Sequence, residues 1–130
     1  MISAADYQRH DGIGLAELVR KREVTPAELL EAALARAEAV NPRLNAIITP
    51  MHEQARARAA QPLEGAFAGV PFLVKDLFQE YAGVPAAYGC KALKAARHTP
   101  TEHAEITARW LKAGVVIFGR TNTPEFGAKG

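Results

Sequence analysis

Val115-Val116-Ile117-Phe118 is the stretch whose reading decides the fold. Four consecutive apolar residues leave no polar face, so a strand built from them must be buried on both sides. Gly114, just before it, is read as the C′ glycine of a helix carrying Ile106, Trp110 and Leu111. That helix is predicted to start at the capping box Thr99-Pro100-Thr101-Glu102, with proline at its first position. Gly119-Arg120-Thr121-Asn122 is read as the chain leaving the strand at its carboxyl end. Thr123-Pro124-Glu125-Phe126 then opens another turn or helix. A helix feeding directly into a buried strand points to an α/β layer architecture.

Upstream lies a second apolar strand that contains a charge: Gly69-Val70-Pro71-Phe72-Leu73-Val74-Lys75-Asp76-Leu77-Phe78. Burying an unpaired ammonium costs several kcal/mol (about 3–5). Lys75 therefore either carries its amine to water at the strand's end or is desolvated for a purpose. A lysine base working near neutrality needs a pKa brought down by roughly 3, about 4 kcal/mol, which burial can supply. Asp76 does not by itself oppose this, because neighbouring strand residues point to opposite faces. Pairing of Asp76 with Lys75 across a bulge would oppose it. The sequence holds one serine, Ser3, so a lysine base has no evident nucleophile to serve.

The first third reads as two helices. Leu15, Leu18 and Val19 repeat at helical spacing after Asp11, and Thr25-Pro26-Ala27-Glu28 is a capping box. Leu29, Leu30, Ala33, Leu34, Ala37 and Val40 form one stripe behind it, which Asn41-Pro42 is expected to end. Asn45-Ala46-Ile47-Ile48-Thr49 is a short strand, a helix runs from about His52 to Ala60, and residues 61–69 form a loop. Residues 80–97 show no clear period.

At 130 residues, 48% apolar and 23% charged, the chain has the size and composition of one globular domain. Its net charge of +2 is too mild to imply nucleic-acid or membrane binding. No apolar run approaches the ~18 residues of a membrane span, and the N-terminus shows no apolar signal core. A single cysteine, Cys90, excludes an internal disulfide and fits a reducing, cytoplasmic compartment. His10, His52, His98 and His103 lack metal-ligand spacing, and no phosphate-binding glycine loop is present, so neither metal nor cofactor is expected. Lys91, Lys94, Arg97 and His98 read as a solvated basic face. Glu125 sits past a strand end, either as a ligand group or as a helix-start carboxylate. Cys90 reads as a small core thiol.

Three blocks, taken in register, resemble the amidase signature family of serine hydrolases: Gly69 to Asp76, Ala113 to Gly119, and Arg120-Thr121-Asn122-Thr123-Pro124-Glu125-Phe126. The Thr25-Pro26 helix and Asn41-Pro42 with Leu44-Asn45-Ala46 extend the resemblance over nearly the whole chain. It implies a truncated α/β fold: helices plus part of a mixed β-sheet, residues 1–68 being a helical lead-in with a short strand and 69–130 the start of the signature core. It implies that Lys75 is the base of a Ser–cis-Ser–Lys triad, which hydrolyses a small-molecule carboxylic amide through an acyl-enzyme. Within the family, the N-terminal blocks resemble the cyclic-oligoamide (nylon-oligomer) hydrolase branch, with acylamide amidases and the tRNA amidotransferase A subunit as the alternatives.

The chain also departs from the family pattern. Both family serines belong to a Gly-Gly-Ser-Ser-Gly-Gly-like stretch downstream, which residues 1–130 do not include. Cys90 stands where serine is usual, Arg120 where lysine is common, and His103 where aspartate often begins the helix. The chain alone is therefore expected to be an inactive N-terminal portion. The alternatives are a non-catalytic binding or regulatory chain, or half of a split amidase. With Gly130 close behind Phe126 and no stop signal between them, an open sheet edge is expected, available for self-association or a partner chain.

Overall fold

Thr25 caps the longest helix in the way its sequence predicts. In a computed structural model describing residues 2–129, the Thr25 hydroxyl accepts from the Glu28 N–H at 3.2 Å, and the Glu28 carboxylate accepts from the Thr25 N–H at 2.9 Å. Two orphan donors of the first turn are thereby satisfied. Thr25→Ala should destabilise the chain by about 1 kcal/mol in urea unfolding. No change in midpoint would show that the box contributes nothing.

Three helices precede the first strand, one more than the sequence pattern indicates. Helix α1 (Ala4–Arg9) buries no residue, so it carries no apolar stripe to read. Helix α2 (Gly12–Arg20) buries Leu15 and Ala16, and these meet Leu29 and Val70 in one apolar cluster. Helix α3 (Pro26–Leu44) buries Leu29, Leu30, Ala33 and Leu34 and runs past Asn41-Pro42. Pro42 sits in the last turn, and the helix stops only where Asn45 turns left-handed at φ 48°. Asn41 serves the next strand instead. Its side chain both donates to the Ile47 carbonyl (2.9 Å) and accepts from the Ile47 N–H (2.8 Å).

Strand β1 (Ile47–Pro50), helix α4 (His52–Ala59), strand β2 (Pro71–Lys75), the short helix α5 (Lys91–Ala95), helix α6 (Glu105–Lys112) and strand β3 (Val116–Thr121) complete the layers. The sheet is mixed, in the order β1-β3-β2, with β1 antiparallel and β2 parallel to β3. Helices cover both faces. Leu30, Ala33 and Leu34 of α3 and Ala55 and Ala59 of α4 pack with Val116 and Phe118 on one face. Val74, Ile117, Trp110 and Leu111 meet on the other, where the Phe72 and Trp110 rings lie 5.0 Å apart. The buried strand is thus central, and β1 and β2 form the two sheet edges among the described residues.

Three further expectations are corrected. The Thr99 box does not start α6, which begins at Glu105 without a side-chain cap. The Thr99 hydroxyl instead donates to the Arg97 carbonyl. In α6 the fully buried position belongs to Thr107, while Ile106 is exposed. Gly119, Arg120 and Thr121 are strand residues, so the chain leaves the sheet at Asn122. Gly114 does follow the C-terminus of α6, at φ +96°. The Glu125-Phe126 segment forms a single 3-10 turn, and Gly130 lies outside the described residues.

Candidate active site

A one-residue shift in the β2–β3 register builds the polar centre of this fold. Phe72 faces Ile117, but Leu73 faces Gly119, so Phe118 is an extra residue. A Cβ on Gly119 would lie 2.9 Å from Ile47 and 3.2 Å from Leu73, which both pack on the Phe118 side of the sheet. Phe118 and position 119 therefore share one face, and Arg120 is turned to the other, beside Val74 and Asp76. Without the bulge, the guanidinium would enter the apolar layer under α3.

Arg120 is fully buried and Asp76 nearly so, at 0% and 1% exposure. Arg120 Nε donates to Asp76 Oδ1 at 2.9 Å, and Nη1 donates to the Gln79 carbonyl at 3.2 Å. The Ala87 N–H donates to both Asp76 oxygens at 3.2 Å. Arg120 Nη2 is buried with no partner among the described residues. Nearby, the Tyr88 hydroxyl donates to Glu80 Oε1, and burial, with that hydrogen bond next, pushes the Tyr88 hydroxyl up to about 12.

Lys75 is the last residue of β2 and is exposed. Asp76 goes inward to Arg120, so it is not Lys75's partner. The Lys75 N–H donates to Gln79 Oε1 at 2.5 Å, and the Asp76 N–H donates to the Thr121 carbonyl at 3.0 Å. A cavity of about 630 Å³ opens on the Asp76 side, lined among others by Asn45, Thr49, Asp76, Cys90, Lys94 and Asn122. Lys75 is not part of that lining.

Of the other candidates, Cys90, Lys91, Lys94 and Arg97 line this cavity, whereas Glu125 and His103 do not. Glu125 is exposed in its 3-10 turn. Cys90 is half-buried at the N-cap of the five-residue α5. Lys91, Lys94 and Arg97 are exposed. His103 does not begin α6; its Nδ1 accepts from the Ala82 N–H at 3.0 Å, and its ring meets Tyr81 edge-on. Among the described residues, no group of three or more His, Cys, Asp or Glu could hold a metal ion, and no helix is long and apolar enough to cross a membrane.

Sequence reasoning missed the Asp76–Arg120 pair. Its signal was present as two charges in otherwise apolar strands, but the partners are 44 residues apart.

Helices on both faces of a mixed sheet, with polar groups gathered where the parallel strands end, define an α/β domain of the kind that holds ligand groups there. The amidase family model matches residues 28–130, and the chain belongs to that family. It is 43% identical over 117 residues to the 6-aminohexanoate-cyclic-dimer hydrolase of Paenarthrobacter ureafaciens, a match covering 90% of this chain and 24% of the relative. It is 38% identical to the lipoamidase of Enterococcus faecalis, covering 99% of this chain and 18% of that one. A solved structure of a 6-aminohexanoate cyclic dimer hydrolase superposes with a TM-score of 0.87 at 38% identity, over 97% of this chain and 25% of that one. A bacterial aryl acylamidase of the amidase signature family superposes at 0.84 and 30% identity, over 93% of this chain and 26% of that one. The chain thus spans about a fifth to a quarter of the length of these hydrolases, whose named substrates differ.

Proposed function

We propose that this chain is the N-terminal portion of an amidase that hydrolyses a carboxylic amide C–N bond through an acyl-enzyme, with Lys75 as its base. The observation that carries the reading is Lys75 at the carboxyl end of β2, inside a family match running from residue 28 to residue 130. The neutral amine would take a proton through a bridging serine, freeing a second serine to attack the amide carbonyl.

Ser3 cannot fill either role. It caps α1, where its hydroxyl meets the Asp6 carboxylate. The nucleophile, the bridging serine and the donors for the oxyanion must then come from outside these residues, and so must the burial that a lysine base requires. The names of the relatives share the amide bond rather than one acyl group, so the substrate class is a small-molecule amide. A reducing, cytoplasmic setting fits the lone Cys90.

The 130-residue chain should release no amine or ammonia from a simple acyl amide. The serine-bearing enzyme should do so and lose that turnover with Lys75→Ala. Hydrolysis by the chain alone, abolished by Lys75→Ala, would overturn the division of the site. A serine-bearing enzyme indifferent to Lys75→Ala would overturn the role of the lysine.

A further inference from the structure

Lys75 ends an edge strand, and strand ends fray unless something ties them down. Because the Asp76 N–H points to β3, the Lys75 N–H points away from it, toward the open edge. Gln79 occupies that position by turning back, its Oε1 accepting from the Lys75 N–H at 2.5 Å. The turn that allows this is held from below. Buried Arg120 grips Asp76 at its start through Nε and the Gln79 carbonyl at its end through Nη1. Between them Phe78 adopts φ 54°, a left-handed conformation unfavourable for a bulky side chain. Such a turn persists only where its surroundings over-determine it.

We propose that Gln79 is a positioning residue for Lys75. Held by Arg120, it fixes the backbone from which the lysine projects, and so fixes where the amine sits. This rests on the reading of Lys75 as the base. Gln79 is half-buried and lies outside the apolar clusters, so it can be replaced without opening the core. Gln79→Leu removes the acceptor, whereas Gln79→Glu keeps one.

Two measurements test the role. In the 130-residue chain, Gln79→Leu should raise amide hydrogen exchange at Lys75 about tenfold or more, leaving Val116 and Ile117 unchanged. An unchanged Lys75, or a rise across the whole sheet, overturns the proposal. In the serine-bearing enzyme, Gln79→Leu should lower kcat about 10- to 100-fold with KM within about twofold, and Gln79→Glu should recover most of the loss. A lowered Tm with normal kcat would mark a merely structural residue and overturn the proposal. Lys75→Ala separates the two failures. If that variant is inactive while Gln79→Leu turns over normally, the positioning role alone fails; if it remains active, the reading of the base fails and takes the proposal with it.

Discussion

Arg120→Met should destabilise the chain by about 3–5 kcal/mol in urea unfolding followed by Trp110 fluorescence. Both members of the Asp76–Arg120 pair are excluded from water, so removing one leaves the other charge desolvated without compensation. Methionine keeps much of the volume, which makes the loss electrostatic rather than a cavity effect. Asp76 would retain only the Ala87 N–H, and the Gln79 carbonyl would lose a donor. The double variant Asp76→Leu with Arg120→Met should recover most of the loss, since two apolar groups leave no buried charge. A single variant costing under about 1 kcal/mol would mean that water reaches the pair.

Gly114→Ala should cost about 3 kcal/mol, from two contributions of different origin. The residue sits at φ +96°, where an L side chain is strained, and its Cβ would come within 2.5 Å of the Glu64 carbonyl oxygen and 2.7 Å of Ala68 Cα. Those atoms are backbone and cannot rotate away. They belong to the loop that pairs with this turn, Gly69 donating to the Gly114 carbonyl at 2.9 Å and Phe67 to Ala113 at 2.8 Å. Gly65 answers from the other side, its own Cβ position lying 2.5 Å from the Ala113 carbonyl. Gly83→Ala is the control. Its φ is +78°, but an added Cβ meets nothing within 4 Å, so only the conformational part, about 1–2 kcal/mol, should be lost. Equal losses at the two glycines would dispose of the clash.

The parts of the fold legible in the sequence are those decided by neighbours along the chain. The Thr25 box, the stripe from Leu29 to Leu34 and the uninterrupted apolar run from Val115 to Phe118 are each set by residues near one another in the chain, although the helix and the strand both run past the stops expected for them. The Thr99 box has the same letters and fails for a tertiary reason. Gly83 donates to the Pro100 carbonyl and Ala104 to the Glu80 carbonyl, so this segment pairs with the preceding loop instead of winding. Asn41-Pro42 misleads in the opposite sense. A proline in a last turn removes one bond without ending the helix, and Asn41 spends its amide on β1. At the site, Lys75 was legible as a charge that an apolar strand has to explain. Asp76 and Arg120 were not, because their meeting depends on a bulge that no local pattern announces.

The central place of β3 also sets an order of events for the growing chain. Neither β1 nor β2 has another strand to pair with among the described residues, and both are made before it. A ribosome that has released residues up to Lys112 has therefore delivered all six α-helices, but not one strand pair. The loop closed by joining Ile47 to Thr121 is long, and its entropy is lost before any ladder bond compensates for it. Until Val116 emerges, Phe72, Leu73 and Val74 remain an uncovered apolar segment, the kind on which chaperones act.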